Sequence, residues 1–229
     1  MFPQSGYYFA ALTAVAIAAF WPRYLSRPMG DSDAYTHLHA LAMTAWCGLL
    51  IAQPFLIRAG RRPLHRVLGT LSYGLVPFLL AVSLLLAHSR FRVMDEATFA
   101  VDASFLYLPI SAVFLFGVSY GLAVVYRRQP ALHARFMVGT ALTLIDPIVG
   151  RVMGFYLPPF DSPQVYQAIT FGGTDVVLVG LLLRDRRELR WAFGVMLGVF
   201  VPVHLVYFAL AHGDGWRAFA QWFRALPLT

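Results

Sequence analysis

Residues 61–90, RRPLHRVLGTLSYGLVPFLLAVSLLLAHSR, run from Val67 to Ala87 without a charged side chain or a histidine. A helix needs about 20 mostly apolar residues to cross the hydrocarbon core of a bilayer, and this stretch supplies them. Basic residues flank both ends, Arg61, Arg62 and Arg66 on one side and Arg90 and Arg92 on the other. Working outward, similar runs recur at Gly6–Tyr24, Ala34–Ile57, Val101–Tyr126, Leu132–Tyr156, Gln167–Leu183 and Leu189–Ala211, with Leu64–His88 as the third of seven. The pattern predicts an all-α polytopic transmembrane helix bundle of about seven helices, forming one domain over residues 1–229. The first and sixth runs are short, so six spans is the fallback. Nothing basic precedes the first run and no small-residue cleavage site follows it, so it reads as a retained helix.

Composition agrees. Of 229 residues 59% are hydrophobic and 13% charged, whereas a soluble domain carries about 25% charged residues. So few charges do not cover the surface of a water-soluble globule. The net charge of +7 comes from arginine alone, since the 18 basic residues include no lysine. A retinal Schiff base is thereby excluded, although seven helices invite it. Nucleic acid is not an expected partner, because these arginines lie in short turns between apolar runs and form no continuous basic face. The one cysteine, Cys47, sits inside an apolar run, so neither a disulfide framework nor a thiolate metal cluster is expected.

Three turns hold eleven of the eighteen arginines: Arg58, Arg61, Arg62 and Arg66; Arg127, Arg128 and Arg135; Arg184, Arg186, Arg187 and Arg190. The other side carries Asp31, Asp33, Asp95, Glu96, Asp102, Asp161 and Asp214. By the positive-inside rule the three turns are cytoplasmic, as is the N-terminus, in a bacterial inner membrane. Arg23 and Arg27, after the first run, locally favour the opposite sense. The first two turns are near-repeats, each reading double Arg, Pro, Leu-His, Arg, and Pro63 and Pro130 are placed to start the third and fifth helices. Anionic lipid headgroups are the expected partners of these turns, besides the bilayer itself.

Ionisable groups inside a span are costly, and each is a functional candidate by default. At a rise of about 1.5 Å per residue, His39, His204, Asp146 and Asp175 fall roughly 8–12 Å inside the outer boundary, with Arg151 about two turns in and His37, His88 and Asp102 nearer the surface. This outer polar layer suits a ligand, an ion or a proton. The plainer alternatives are that Asp146, before Pro147, and Asp175, after Gly172 and Gly173, satisfy backbone groups at helix bends, or pair with Arg151. His39 shares a helical face with Met43, Trp46, Leu50 and Gln53, and with His204 it is a candidate metal ligand, though such stripes are usually packing. His37 points about 200° away from His39, which makes the His-Leu-His spacing a poor metal site. At the inner ends, His65 with Arg66 and His133 with Arg135 lie in the first turns of two helices, where free N–H groups and guanidinium groups suit an anion. The anion is a lipid phosphate or the propionates of a haem whose iron lies between His65 and His133.

The set His39, Trp46, Gln53, then His65-Arg66-Val67-Leu68-Gly69 and His133-Ala134-Arg135-Phe136-Met137 resembles a family of bacterial multi-pass membrane proteins of unknown function. That resemblance implies a polytopic fold and nothing finer. The chain is more loosely similar to cytochrome b561-like membrane proteins, which implies haem b held by histidines of neighbouring helices. His65 and His133 match one such pair. The fourth helix has no histidine, so a second pair would need His39 with His88 or His204.

The functional expectations are therefore a redox membrane protein binding haem b or a metal, a transporter, channel or proton relay using the outer polar layer, or an accessory subunit without catalysis. Hydrolysis is disfavoured. No helix carries histidines at i, i+4 for zinc, and no intramembrane serine has a base at helical spacing.

Overall fold

The structure is a computed structural model that describes residues 4–157 and 162–229, and Asp161 lies outside the described residues. Among the described residues the ordered elements are all helical. They are α1 (Ser5–Phe20), α2 (Ala34–Arg58), α3 (Arg62–Arg92), α4 (Glu96–Asp102), α5 (Tyr107–Val125), α6 (Pro130–Leu142), α7 (Ile145–Tyr156), α8 (Pro163–Arg184), α9 (Trp191–Leu210) and α10 (Asp214–Ala225), with short tight turns at Trp21–Leu25, Met29–Asp31 and Ala103–Leu106. Among the described residues, seven helical segments are long and apolar enough to cross a membrane: Ser5–Leu25, Ala34–Arg58, Arg62–Arg92, Glu96–Val125, Pro130–Tyr156, Pro163–Arg184 and Trp191–Leu210. The chain is a multi-pass membrane protein.

Each boundary has a local cause. The side chain of Asp33 accepts from the Thr36 amide at 2.8 Å and so caps α2, and Ser162 caps α8 through the Val165 amide at 3.3 Å. Pro130 opens α6, where its missing N–H costs nothing, and Pro63 is the second residue of α3. Gly60, at φ +73°, takes the left-handed turn after α2 that a side chain would resist. The fourth span is α4, a tight turn and α5 in series, while the fifth is α6 and α7 separated by a break at Thr143–Leu144.

The chain divides into two compact units, Met1–Val82 with Pro147–Pro159 and Ser83–Asp146 with Phe160–Thr229. The divisions fall inside α3 and at Asp146–Pro147 in the first turn of α7.

In the first unit α1 packs on α2 at Gly6, where an added Cβ would lie 2.8 Å from the Phe55 ring. Tyr7 meets that ring edge-on, with centroids 5.0 Å apart. The far end of α1 is tied to α7. Arg151 lies over Phe20 at 4.5 Å, Arg23 over Phe155 at 5.2 Å, and the Tyr156 hydroxyl donates to the Ala18 carbonyl at 2.9 Å.

In the second unit α8 presents one buried face, Gln167, Thr170, Phe171, Thr174 and Leu178, at helical spacing. Helices α5, α6 and α9 meet at Gly139, where a Cβ would overlap Met196 Sδ and lie 2.8 Å from Ser119 Oγ. At the arginine-rich end Phe136 stacks on Tyr126 at 5.4 Å and meets Trp191 edge-on. At the other end the amphipathic α10 buries Ala220 and Phe223 against Phe99 and Leu106, and Arg224 pairs with Glu96.

Candidate functional site

The break between α6 and α7 leaves Asp146 in the first turn of a half-helix inside a span. Its Oδ1 accepts from Gln167 Nε2 at 2.6 Å and from Thr170 Oγ1 at 2.5 Å, both on the buried face of α8. Gln167 also reaches Thr170 Oγ1 at 3.1 Å, so the three side chains form a closed set around one carboxylate oxygen. Two neutral donors hold the carboxylate without neutralising it.

One turn further along α8, Asp175 Oδ1 lies 2.9 Å from His204 Nδ1 of α9. A carboxylate only accepts, so Nδ1 carries the hydrogen and Nε2 is the atom with a proton to gain or lose. The ring is clamped flat on Phe171, with centroids 4.1 Å apart and planes 11° from parallel, and edge-on against Phe200 at 5.8 Å. Its side chain is only 5% exposed, against 23% for Asp175. This is the arrangement in which a carboxylate fixes the tautomer and direction of an imidazole.

Asp146 and His204 line one cavity of about 10 Å³, together with Ser111, Thr143, Phe171 and Thr174 among others. That volume fits a single water. The hydroxyls of Ser111, Thr143 and Thr174 each donate to a carbonyl one turn back, at 3.0, 2.8 and 3.0 Å, and so turn lone pairs to their surroundings. These hydroxyls and the Asp146 carboxylate are the acceptors of the cavity, and, His204 aside, Ala112, Leu115, Leu142, Phe171 and Phe200 make the rest of its wall apolar.

Not all of the outer polar layer meets here. His39 and Arg151 belong to the first unit, where Arg151 donates to the Pro147 carbonyl at 2.9 Å. His37 accepts or donates at both nitrogens, to the Tyr24 hydroxyl at 3.0 Å and the Met29 carbonyl at 2.9 Å, walling a cleft of about 260 Å³. His88 is fully buried, with Nδ1 2.8 Å from Thr229 Oγ1. Asp102 is half-buried.

Of the inner histidines, His65 belongs to the first unit and His133 to the second. His133 Nδ1 donates to the Ala123 carbonyl at 2.8 Å, which leaves Nε2 with its lone pair. Arg66 is exposed, whereas Arg135 is 2% exposed and committed to protein: Nε and Nη2 grip Asp185 at 2.5 Å each and Nη1 donates to the Ala131 carbonyl. A propionate or lipid phosphate at Arg135 would have to displace Asp185. Burial alone would push the Asp185 carboxyl up, but the Arg135 hydrogen bond and charge, with the Arg186 amide, outweigh it and hold the group below its ordinary value. Among the described residues no three His, Cys, Asp or Glu side chains gather as a metal site requires.

Reading the sequence by its ionisable groups missed Gln167, Thr170 and Thr174, whose three- and four-residue spacing on an apolar span was the available signal. Asp185 was missed as well, because it lies among arginines.

No known family model matches this chain, and no curated protein or solved structure is detectably similar to it.

Proposed function

We propose that the protein carries protons into or across the membrane through Asp146 and the His204–Asp175 pair. The observation that carries this reading is the shared cavity: a carboxylate and an imidazole face one water-sized space inside a span. A water there would link the Asp146 carboxylate to His204 Nε2, and Asp175 stabilises the imidazolium that forms when the proton arrives. The Asp146 carboxylate and the Ser111, Thr143 and Thr174 hydroxyls offer a small cation its acceptors, while the N-terminus of α7 complements the carboxylate itself. The volume admits nothing larger than water. In this reading the arginine-rich turns face the cytoplasm of a bacterial inner membrane, and their exposed members, such as Arg61, Arg62, Arg127 and Arg187, meet anionic headgroups.

The experiment is proton flux into vesicles reconstituted with the purified protein, followed with an entrapped pH-sensitive dye under an imposed potential. Asp146→Asn should abolish flux while leaving thermal stability near that of the unaltered protein. Unchanged flux in both Asp146→Asn and His204→Gln overturns the proposal.

A redox reading keeps one supporting observation, the His133 ring, whose Nδ1–H is held by a carbonyl as in ligating imidazoles. Haem b there would supply single-electron transfer. The engagement of Arg135 with Asp185 counts against a propionate at that arginine. A reduced-minus-oxidised band lost in His133→Ala supports haem; a colourless purified protein removes it.

A further inference from the structure

The two ends of the second unit differ in what lies between the site and water. Toward the arginine-rich end large side chains fill the interior: Phe136, Leu178, Phe193, Met196 and Phe200 are each no more than 2% exposed, and the polar groups buried at that end are Ser119, Thr140 and the Arg135–Asp185 pair. At Gly139 the packing is too close for a Cβ, with Met196 Sδ and Ser119 Oγ in its place. Toward the other end polar side chains continue outward from Asp146. Gln167, which holds Asp146, is buried, and Gln164, three residues nearer the end of α8 and so on the same face, is exposed. Gln164 Nε2 lies 3.4 Å from Nε2 of His212, an exposed residue just past the end of α9. The His212 ring stands edge-on to Tyr207, with centroids 5.2 Å apart, and Tyr207 is within electrostatic reach of Asp146.

We propose that His212 is the port through which the Asp146 site exchanges protons with water, at the end of the unit opposite the arginine-rich turns. This inference rests on the proton reading above. The glutamines do not carry the proton, since an amide has none to give near neutral pH; they hold water along the way. Imidazole is the side chain that exchanges protons readily in that range. The other charged group beside it in the chain is Asp214, which lies 3.6 Å from Arg217. The polar path runs from His212 to Asp146, and the close packing of Met196 and Ser119 at Gly139 is the barrier that opens for a proton to cross.

The test uses the same vesicles. His212→Ala should slow proton flux by roughly a hundredfold, the low side of what a positioned proton-transfer group contributes. Millimolar imidazole added on the His212 side should restore it. His212→Gln, which keeps a polar side chain without a titrating ring, should lose flux equally and be rescued equally. Unaltered flux in His212→Ala, or a loss that imidazole does not restore, overturns the port. If Asp146→Asn is inactive in those same experiments, the proton reading survives that failure. Retained flux in both Asp146→Asn and His204→Gln removes the site and the port together.

Discussion

Arg135 and Asp185, 50 residues apart in the chain, meet as a two-pronged ion pair with both N···O distances at 2.5 Å. Their side chains are 3% and 5% exposed, so neither charge has water to fall back on. Arg135→Ala or Asp185→Asn should therefore cost about 3–5 kcal/mol, because each leaves a buried charge or dipole uncompensated. Replacing both with apolar residues should cost much less. Unfolding in detergent, followed by circular dichroism, gives the comparison, and equal losses in single and double variants would contradict it.

The same pair sets a dependence on pH. The folded protein holds the Asp185 carboxyl below its ordinary value, so the stabilisation is complete above that value, about 4, and fades as the pH falls through the lower folded one. Melting temperature should drop on acidification in the unaltered protein, and the drop should shrink in Asp185→Asn. An identical acid profile for the two would show that other groups govern it.

Gly139 is the point where α6 comes too close to Met196 and Ser119 for a side chain. Gly139→Ala should destabilise by about 1–3 kcal/mol, the usual cost of overpacking. Because the obstructing atom is the end of a flexible methionine, adding Met196→Ala should recover part of that loss. Strictly additive losses would mean that the two sites do not touch.

Thr170 holds Asp146 through a hydroxyl, at 2.5 Å. Thr170→Ser keeps that donor and should preserve proton flux; Thr170→Val keeps the shape, loses the donor and should lower flux sharply. The flux should persist in sodium-free buffer. Flux that requires sodium would reassign the Asp146 cavity to that ion.

Sidedness can be read chemically. In a Cys47→Ser background, Arg187→Cys should react with a membrane-impermeant thiol reagent only from the cytoplasmic side, and Gln164→Cys only from the other. Labelling of both from one side would invalidate the seven-span topology.

The spans were legible because a helix in lipid has no polar alternative to its own backbone bonds, which forces long apolar runs such as Val67 to Ala87. Boundaries moved outward where polar residues extend the helix, as at Glu96 and Pro163. Helix α10 was not legible as a span, being half polar; its signal was the periodic set Trp216, Phe219, Ala220 and Phe223. The Asp146–Pro147 step hinted at the bend that the α6–α7 break realises. The partners of Asp146 stayed hidden because Gln167 and Thr170 are neutral, and only the packing of α8 shows which way they face. The near-repeat turns look alike as strings, yet Arg66 is exposed and Arg135 buried, a difference decided by Asp185 in a third turn that shares little of the motif.

The 50-residue separation of Arg135 and Asp185 along the chain also imposes an order in time. At roughly 5–20 residues per second of synthesis, Arg135 leaves the ribosome some seconds before its partner exists. During that interval it is a bare cation, able to retain its turn on the side where the chain is being made. On the proposed orientation one arginine would serve first as an address during insertion and afterwards as a strut, and Asp185→Asn should spoil the second role while leaving the first intact.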